Sequence, residues 1–380
     1  MKVSLTDICD FQGGTQPPKD EWIGQPAQGY VRMLQIRDFT QSDKNYIEYV
    51  KDTGKLKTCI EDDILIGRYG ASIGKILTGL AGAYNVAIVK TIPDEKVVSK
   101  KYLYWYLNSQ YFQRFISNVG SRAAQAGFNK NDLGAAQIPL VDKERQEEIC
   151  EVLEKANKLI SLRKQQLAKL DELVKARFVE MFGDPVSNPL HWKKVKLSEL
   201  ADIKIGPFGS LLHKEDYVTG GHPLVNPSHI INGKIIVDND LTLTEGKYFE
   251  LSAYRLKKND VVLGRRGEMG RCAVVDEEGL LCGTGSLLIR TNGTVTADYI
   301  QKIISFPTFK KTIEDMAVGQ TMPNLNVPIV SNFMIIIPPL SVQKDYYDFV
   351  ECVDQQKQTV QQSLEKLELM KKALMQEYFG

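Results

Sequence analysis

The chain has 380 residues, 43% hydrophobic and 25% charged, with a net charge of +1 at pH 7. That length accommodates two or three domains with cores of their own, and the near-neutral charge means that any nucleic-acid binding cannot depend on bulk charge. No apolar run reaches membrane-spanning length, Met1-Lys2-Val3-Ser4 does not open a signal peptide, and the six cysteines contain no Cys-x-x-Cys pair; these facts argue against a membrane protein, a disulfide framework and a zinc site, and suit a reducing cytoplasm.

Residues 1–141 read as a mixed domain. Short β-branched runs at 63–66 and 86–89 alternate with Gly-rich turns, as strands and loops do. One helix fits 100–116, with Ser99 as its N-cap. Residues 142–182 are different: no Gly or Pro occurs before Gly183. There Ile149, Leu153, Ala156, Ile160, Leu167, Leu170 and Val174 step by threes and fours, a heptad seam interrupted by Arg163. Asp142 is placed to cap this helix. Residues 183–340 begin with a linker of turn residues and prolines and continue as a second mixed domain, with strands at 261–263, 286–289 and 333–337. Its helix at 298–316 contains Pro307 and is predicted to split in two. Residues 341–380, with Ser341 as N-cap, carry a second seam: Val350, Val353, Val360, Leu364, Leu367 and Leu374, with Lys357 and Lys371 inside it. Each helix of roughly 38 residues makes a rod of roughly 55 Å.

The second half repeats the first. Phe182-Gly183 returns as Phe379-Gly380, and Asp63-Ile64-Leu65-Ile66-Gly67-Arg68-Tyr69-Gly70 returns as Asp260-Val261-Val262-Leu263-Gly264-Arg265-Arg266-Gly267, both 197 residues on. Ile138-Pro139-Leu140 returns as Ile337-Pro338-Pro339-Leu340. A duplicated chain implies a pseudo-twofold molecule, and duplex DNA is a pseudo-twofold partner. The seams are imperfect in complementary ways: Arg163 and Arg177 stand where the second has Val360 and Leu374, and Lys357 and Lys371 where the first has Ile160 and Val174. Such charges fix pairing and register. The simplest closure is an antiparallel pair within the chain; packing of each helix on its own domain, or on another chain, is the alternative. In the paired arrangement Ile160 and Lys357 share one coiled coil, and exchanging them together is predicted to be better tolerated than either change alone.

Each mixed domain thus opens with Leu-[Ser/Thr]-[Asp/Glu]-[Leu/Ile], carries Asp-[Ile/Val]-[Leu/Val]-x-Gly-Arg-x-Gly, and closes with Ile-Pro before a helix that ends in Phe-Gly. In this order, duplicated over the whole chain, the motifs resemble the specificity (S) subunit of type I restriction–modification systems. The resemblance implies an α+β fold of two mixed α/β target recognition domains, each reading one half of a bipartite DNA sequence. It implies that the two long helices pair as an antiparallel coiled coil and act as the spacer. It also implies a subunit without chemistry of its own, on which two methyltransferase (M) and two restriction (R) subunits dock. S-adenosylmethionine would act on the M subunits, and ATP and magnesium on the R subunits. A rod of fixed length turns helix length into base-pair spacing, one B-DNA turn being about 34 Å for roughly 10 bp. The alternatives are an orphan specificity subunit serving a solitary methyltransferase or another phage-defence complex, and a coiled-coil scaffold that does not bind DNA.

Candidate DNA contacts lie on the Gly-rich and polar loops. Arg68, Tyr69, Gly70 and Lys75, with Arg265, Arg266 and Arg271, combine a close backbone approach with side chains that bind guanine or phosphate. The competing reading is a tight turn whose arginine pairs with a domain carboxylate. Gly13, Thr15 and Ser210 lie in loops suited to presenting N–H and hydroxyl groups to phosphates, or are turns and nothing more. Gln35 and Arg37, matched with Asn226 and Ser228, follow a strand as base readers or as solvated surface. Arg122 and Gln125, with Gln320, Thr321 and Asn324, form polar loops before the last strand. The domains diverge most in these loops, so the half-sites are expected to differ. Two look-alikes fail. Gly70-Ala71-Ser72-Ile73-Gly74-Lys75-Ile76 lacks one inter-glycine residue and the Ser/Thr of a P-loop. Asn226-Pro227-Ser228-His229 lacks the second proline and aromatic of adenine methyltransferases. The four histidines all lie in the second copy, which rules out a duplicated catalytic histidine.

Overall fold

The computed structural model describes residues 1–41, 47–120, 127–317 and 324–380. They form two compact units, Met1–Leu167 with Thr359–Gly380, and Ala168–Gln358. The divisions fall inside both long helices, Lys143–Phe182 and Leu340–Phe379. Each unit therefore holds one mixed domain, the first part of the helix that follows it, and the end of the other helix.

In the first unit the main sheet runs Cys9–Gly13, Ile88–Pro93, Leu65–Gly67, Ile76–Leu77, all antiparallel. A second sheet runs Tyr49–Lys51, Tyr30–Leu34, Gly82–Tyr84, Thr58–Cys59, with the middle two strands parallel. The second unit repeats the main sheet as Ala201–Ile205, Ser286–Thr291, Asp260–Gly264, Cys272–Val274. In both units the strand that opens the domain pairs with the one that closes it, Lys2–Ser4 with Gln137–Pro139 and Lys193–Lys196 with Met334–Ile337. Val3 faces Ile138 and Val195 faces Ile335. The structural counterpart of Ile138 is thus Ile335, not the Ile337 suggested by the Ile-Pro match; the repeated Pro lies in different places in the two copies.

The aspartate that opens the Gly-Arg motif is structural. Asp63 and Asp260 are buried, and each accepts a backbone N–H three residues upstream, from Ile60 at 3.0 Å and Lys257 at 2.7 Å. Asp260 is clasped by Arg290 Nε and Nη2 at 2.7 and 2.6 Å, while Asp63 meets Lys90 at 2.5 Å and Lys100 at 3.5 Å. Buried carboxylates require such partners.

Where a single helix was predicted over 100–116, two are found, Lys100–Leu107 and Gln110–Gly120. The break has no Pro. Asn108 turns its amide back to the Tyr104 carbonyl at 2.8 Å and Ser109 accepts the Phe112 N–H at 3.2 Å, so two polar side chains compete with the helical backbone. The second copy breaks at Pro307 as predicted, into Ala297–Ile304 and Pro307–Met316.

Asp142 caps the first long helix through the Arg145 N–H at 2.8 Å. Ser341 does not cap the second, which already begins at Leu340. A device absent from the sequence reading joins each helix to its domain. Fully buried Gln146 accepts the Ser99 N–H and donates to the Val97 and Val141 carbonyls, all at 2.9 Å. Gln343 likewise accepts the Thr296 N–H at 3.1 Å and donates to the Pro338 carbonyl at 3.0 Å.

The helices pair antiparallel within each unit. In the first, Lys164 meets Glu368 at 2.9 Å and Lys371 donates to Asn157 at 2.7 Å. In the second, Lys357 meets Asp171 at 2.7 Å and the Tyr346 hydroxyl reaches the Val174 carbonyl at 3.4 Å. Ile149, Leu153, Ala156, Ile160, Val174, Val353, Val360 and Leu364 are buried, and Leu167, Leu170, Val350, Leu367 and Leu374 are half-buried. Packing on the domain occurs as well: Ile149 and Leu153 lie in the core of the first, Val353 in that of the second. The register corrects one expectation. Lys357 belongs to the second unit beside Asp171, and Ile160 to the first, in the stretch that meets Lys371. The two do not oppose each other, so their exchange is not compensating.

The Phe-Gly ends close the cores. Phe379 packs on Tyr102 and Tyr106 at ring-centroid distances of 5.2 and 6.1 Å, and Phe182 on Tyr299 and Tyr346 at 5.2 and 5.3 Å. All six rings are fully or almost fully buried.

Candidate nucleic-acid interface

Antiparallel order brings three loops to one end of each main sheet. In the first domain these are the loop after Cys9–Gly13, the turn after Leu65–Gly67, and the loop before Ile88–Pro93. The turn at 68–75 is closed by reciprocal bonds, Gly67 N–H to the Lys75 carbonyl at 2.8 Å and Gly74 N–H to the Gly67 carbonyl at 2.9 Å. Gly70 and Gly74 have φ of 57° and 75°, as do Gly267 and Gly270 at 81° and 74°, which explains the repeated glycines. The turn runs on into the strand Ile76–Leu77, with no helix behind it, so the P-loop likeness is void.

Arg68 and Arg265 do not follow the carboxylate reading, whereas Arg271 does. Arg68 donates from Nε to the Phe128 carbonyl at 2.8 Å, and Arg265 from Nε to the Leu325 carbonyl and Asn324 Oδ1, both at 3.2 Å. The next residues, Tyr69 and Arg266, form antiparallel bridges with Gly127 and Asn324. Each turn is therefore pinned to the segment before the last strand, in the same way in both domains. Tyr69 and Arg266 are exposed, while Arg68 and Arg265 are half-buried. Burial, and next the neighbouring Arg266 charge, lower the Arg265 pKa. Lys75 is exposed. Arg271 is tied to Glu268 at 2.9 Å and to the Pro227 carbonyl at 3.2 Å.

Gly13 ends its strand opposite Val89. The backbone donors of this loop are taken: Gly14 N–H by the Ile88 carbonyl at 3.1 Å, Thr15 N–H by that of Tyr84 at 3.0 Å, and Gly206 N–H by that of Ser286 at 3.0 Å. The glycines serve close approach instead. A Cβ on Gly14 would lie 2.1 Å from the Asn85 carbonyl oxygen, and one on Gly206 2.0 Å from that of Gly283. Among the described residues the buried Thr15 hydroxyl has no hydrogen-bond partner. Ser210 lies in the turn Gly209–Leu211.

Gln35 and Asn226 hold matching N-cap positions; Asp38 accepts the Gln35 N–H at 2.8 Å, and His229 Nδ1 lies 2.7 Å from the Leu224 carbonyl and 3.3 Å from the Asn226 nitrogen. Gln35 also donates to buried Glu48 at 2.7 Å, which is ion-paired to Arg37 as well and to Lys19 at 2.8 Å. Ser228 is exposed. Arg122, Gln125, Gln320 and Thr321 lie outside the described residues. One element of the cluster was not expected as a loop: 283–285 is an uncharged run without a signal, and residues 86–87, read as part of a strand over 86–89, lie before the strand, which begins at Ile88. Among the described residues no cluster of three or more His, Cys, Asp or Glu could hold a metal ion, and no helix is long and apolar enough to cross a membrane.

Two copies of a mixed domain, each followed by a long helix and presenting an arginine-anchored turn, make a duplicated module. The type I restriction modification DNA specificity domain matches residues 1–172 and 189–369, and the chain belongs to that family. It is the specificity subunit of a type I restriction–modification system, a DNA-recognition component that acts with methyltransferase and restriction subunits. Similar proteins include the type I restriction enzyme MjaVIII specificity subunit of Methanocaldococcus jannaschii, 23% identical over 98% of this chain and 90% of that one. The MjaIX specificity subunit of the same organism is 22% identical over 91% and 85%. Among solved structures, a chain from a study of assembly and conformational transition of a type I R-M system aligns with a TM-score of 0.67 at 15% identity, covering 100% of this chain and 97% of that one. The S subunit from M. genitalium aligns with a TM-score of 0.54 at 16% identity, covering 100% and 96%. These likenesses support the α+β fold with two long helices.

Proposed function

We propose that this chain supplies the sequence reading of its complex and none of the chemistry. Each mixed domain reads one half of a bipartite duplex site through the turn that carries Arg68 or Arg265. The observation that carries this reading is the duplicated anchor, Nε to a carbonyl at 2.8 Å in one domain and 3.2 Å in the other, beside unlike exposed neighbours, Tyr69 and Arg266. A common frame with different tips suits two different half-sites. The paired helices are the spacer. A 40-residue helix is about 60 Å long, so inserting whole turns into both should lengthen the gap and leave both half-sites unchanged. Two M and two R subunits dock on the chain, S-adenosylmethionine acting on the former, ATP and magnesium on the latter, in the cytoplasm. With a net charge of +1 the chain alone binds DNA weakly, and the M subunits supply the remaining phosphate contacts.

The test is methylation mapping: co-expression with the neighbouring methyltransferase gene, then sequencing of host DNA for modified adenines. One bipartite motif with unlike halves and a fixed gap is the expected result. A soluble complex that adds no motif would overturn the reading. Tight, sequence-specific gel shifts by the lone chain at physiological salt would overturn the part concerning weak binding.

A further inference from the structure

We infer that Val86 and Thr284, the tips of a loop present in both domains, are specificity-determining residues that meet base edges in the two half-sites; this rests on the reading above. The loops are equivalent by their bonds, not by their sequence. Arg68 N–H is bound by the Ala87 carbonyl at 2.8 Å, and Arg265 N–H by that of Gly285 at 3.0 Å. Each loop is therefore fastened directly to the arginine of the turn. Each is also pressed by the glycine that follows the first strand of its sheet, Gly14 on Asn85 and Gly206 on Gly283.

Hydrogen bonds hold the backbone on either side of each tip. Asn85 N–H meets the Leu34 carbonyl at 3.2 Å, Ile88 N–H the Asn85 carbonyl at 3.0 Å, and Ala87 N–H the Asn85 side chain at 3.2 Å. In the second domain Gly283 N–H meets the Val225 carbonyl at 3.0 Å, Ser286 N–H the Gly283 carbonyl at 3.0 Å, and Gly285 N–H the Asn226 side chain at 3.4 Å. The glycines there are obligatory: a Cβ on Gly283 would lie 2.2 Å from Asn226 Oδ1, and one on Gly285 2.9 Å from Pro227. Against this fixed backbone the tip side chains project outward. Val86 is 40% exposed and Thr284 is exposed.

A rigid loop with an exposed β-branched tip, beside an arginine-bearing turn, has the form of a base reader. The frame is the same in both domains and the tip differs, as two unlike half-sites require. Val86 offers only methyl groups, which fit the C5-methyl of thymine in the major groove; Thr284 adds a hydroxyl that can bond a base edge.

The experiment compares Val86→Ser and Thr284→Val chains with the wild type in the complete methyltransferase complex, by methylation mapping and by rate on the wild-type site. Val86→Ser should lower the rate roughly tenfold and relax one base position in one half-site; Thr284→Val should do the same in the other half, with the gap unchanged. A gentler pair adds a control. Replacing thymine by deoxyuridine in the first half-site should slow the wild type several-fold and leave the Val86→Ala chain unaffected. If both tip variants keep the wild-type melting temperature, motif and rate, the inference is overturned. Equal loss in both halves also overturns it, because that marks an assembly effect. A wild-type complex that yields no bipartite motif would instead sink the underlying reading, and this inference with it.

Discussion

The first domain has Trp105 where the second has Lys302, Tyr69 where it has Arg266, and Val86 where it has Thr284. Asp63 and Asp260, Gln146 and Gln343, Phe379 and Phe182 nevertheless occupy the same kinds of bonds and contacts in both. The shared positions are buried and close the core or fasten a helix to it. The divergent ones are exposed loop residues, or lie where a long helix covers its domain. In a duplicated chain, residues that keep their geometry in both copies are thus structural, and residues that keep only their position are free to carry different specificities.

The helix-covered site shows how divergence is accommodated. In the first unit Lys371 lies 5.3 Å from the Trp105 ring centroid and donates to Asn157, so a seam lysine finds an aromatic face. In the second, Lys302 itself is held by burial, and secondarily by Lys357 and Lys175, at a pKa below the ordinary lysine value. Asp354 and Asp171 oppose this only in part.

The largest expected effects test the shared closures. Phe379→Ala and Phe182→Ala should each cost about 3–5 kcal/mol, the range for a buried aromatic. Hydrogen exchange should localise the loss to the first unit for Phe379 and to the second for Phe182. Equal loss in both units for either variant would contradict the division of the chain.

Arg290→Ala should follow, at about 3 kcal/mol, because it strands the almost fully buried Asp260 carboxylate. Lys90→Ala should cost less, about 1 kcal/mol, since Lys100 still faces Asp63. Chemical denaturation of the two variants would sharpen this contrast, and equal losses would erase it. Burial opposes the charge on Asp63, but the Lys90 hydrogen bond, the Ile60 N–H and the nearby lysine charges outweigh it and lower the pKa. A carboxyl depressed in the folded state stabilises the protein above its unfolded value of about 4 and loses that contribution as pH falls through the folded one. An acid titration of stability should therefore be shallower in Asp63→Asn.

Gln146→Leu and Gln343→Leu should cost about 2 kcal/mol each, since buried carbonyls and an N–H lose their partners. Thermal melting checks this; a neutral result would mean that water replaces the amide. The smallest effect is expected for Lys302→Met, a gain of up to about 1 kcal/mol, since it removes a half-buried charge. The wild type should gain stability as pH rises from the lowered Lys302 pKa toward the ordinary lysine value, because in that window the unfolded chain holds more protons. A destabilised Lys302→Met would show that Asp354 and Asp171 depend on this lysine.

The repeat, the two mixed domains, the two long helices and their seam were legible in the sequence, because a strict period and a Gly- and Pro-free heptad run are local signals. The helix break at Asn108 was not, since no Pro or Gly marks it and the competing bonds come from Asn and Ser side chains. The turn arginines were legible as candidates, but their anchors on Phe128 and Leu325 lie 60 residues away along the chain. The loop at 283–285 carried no signal, and the β-branched run at 86–89 pointed to a strand where residues 86–87 form a loop. The importance of both loops comes from backbone carbonyls and the glycines pressed on them, partners that only the folded sheet brings together. Sequence alone thus determined the order of elements and the family likeness, through periodicity and duplication. Tertiary structure alone decided the register of the helix pair, the true counterpart of Ile138 and which loops stand together, because these depend on contacts between residues far apart in the chain.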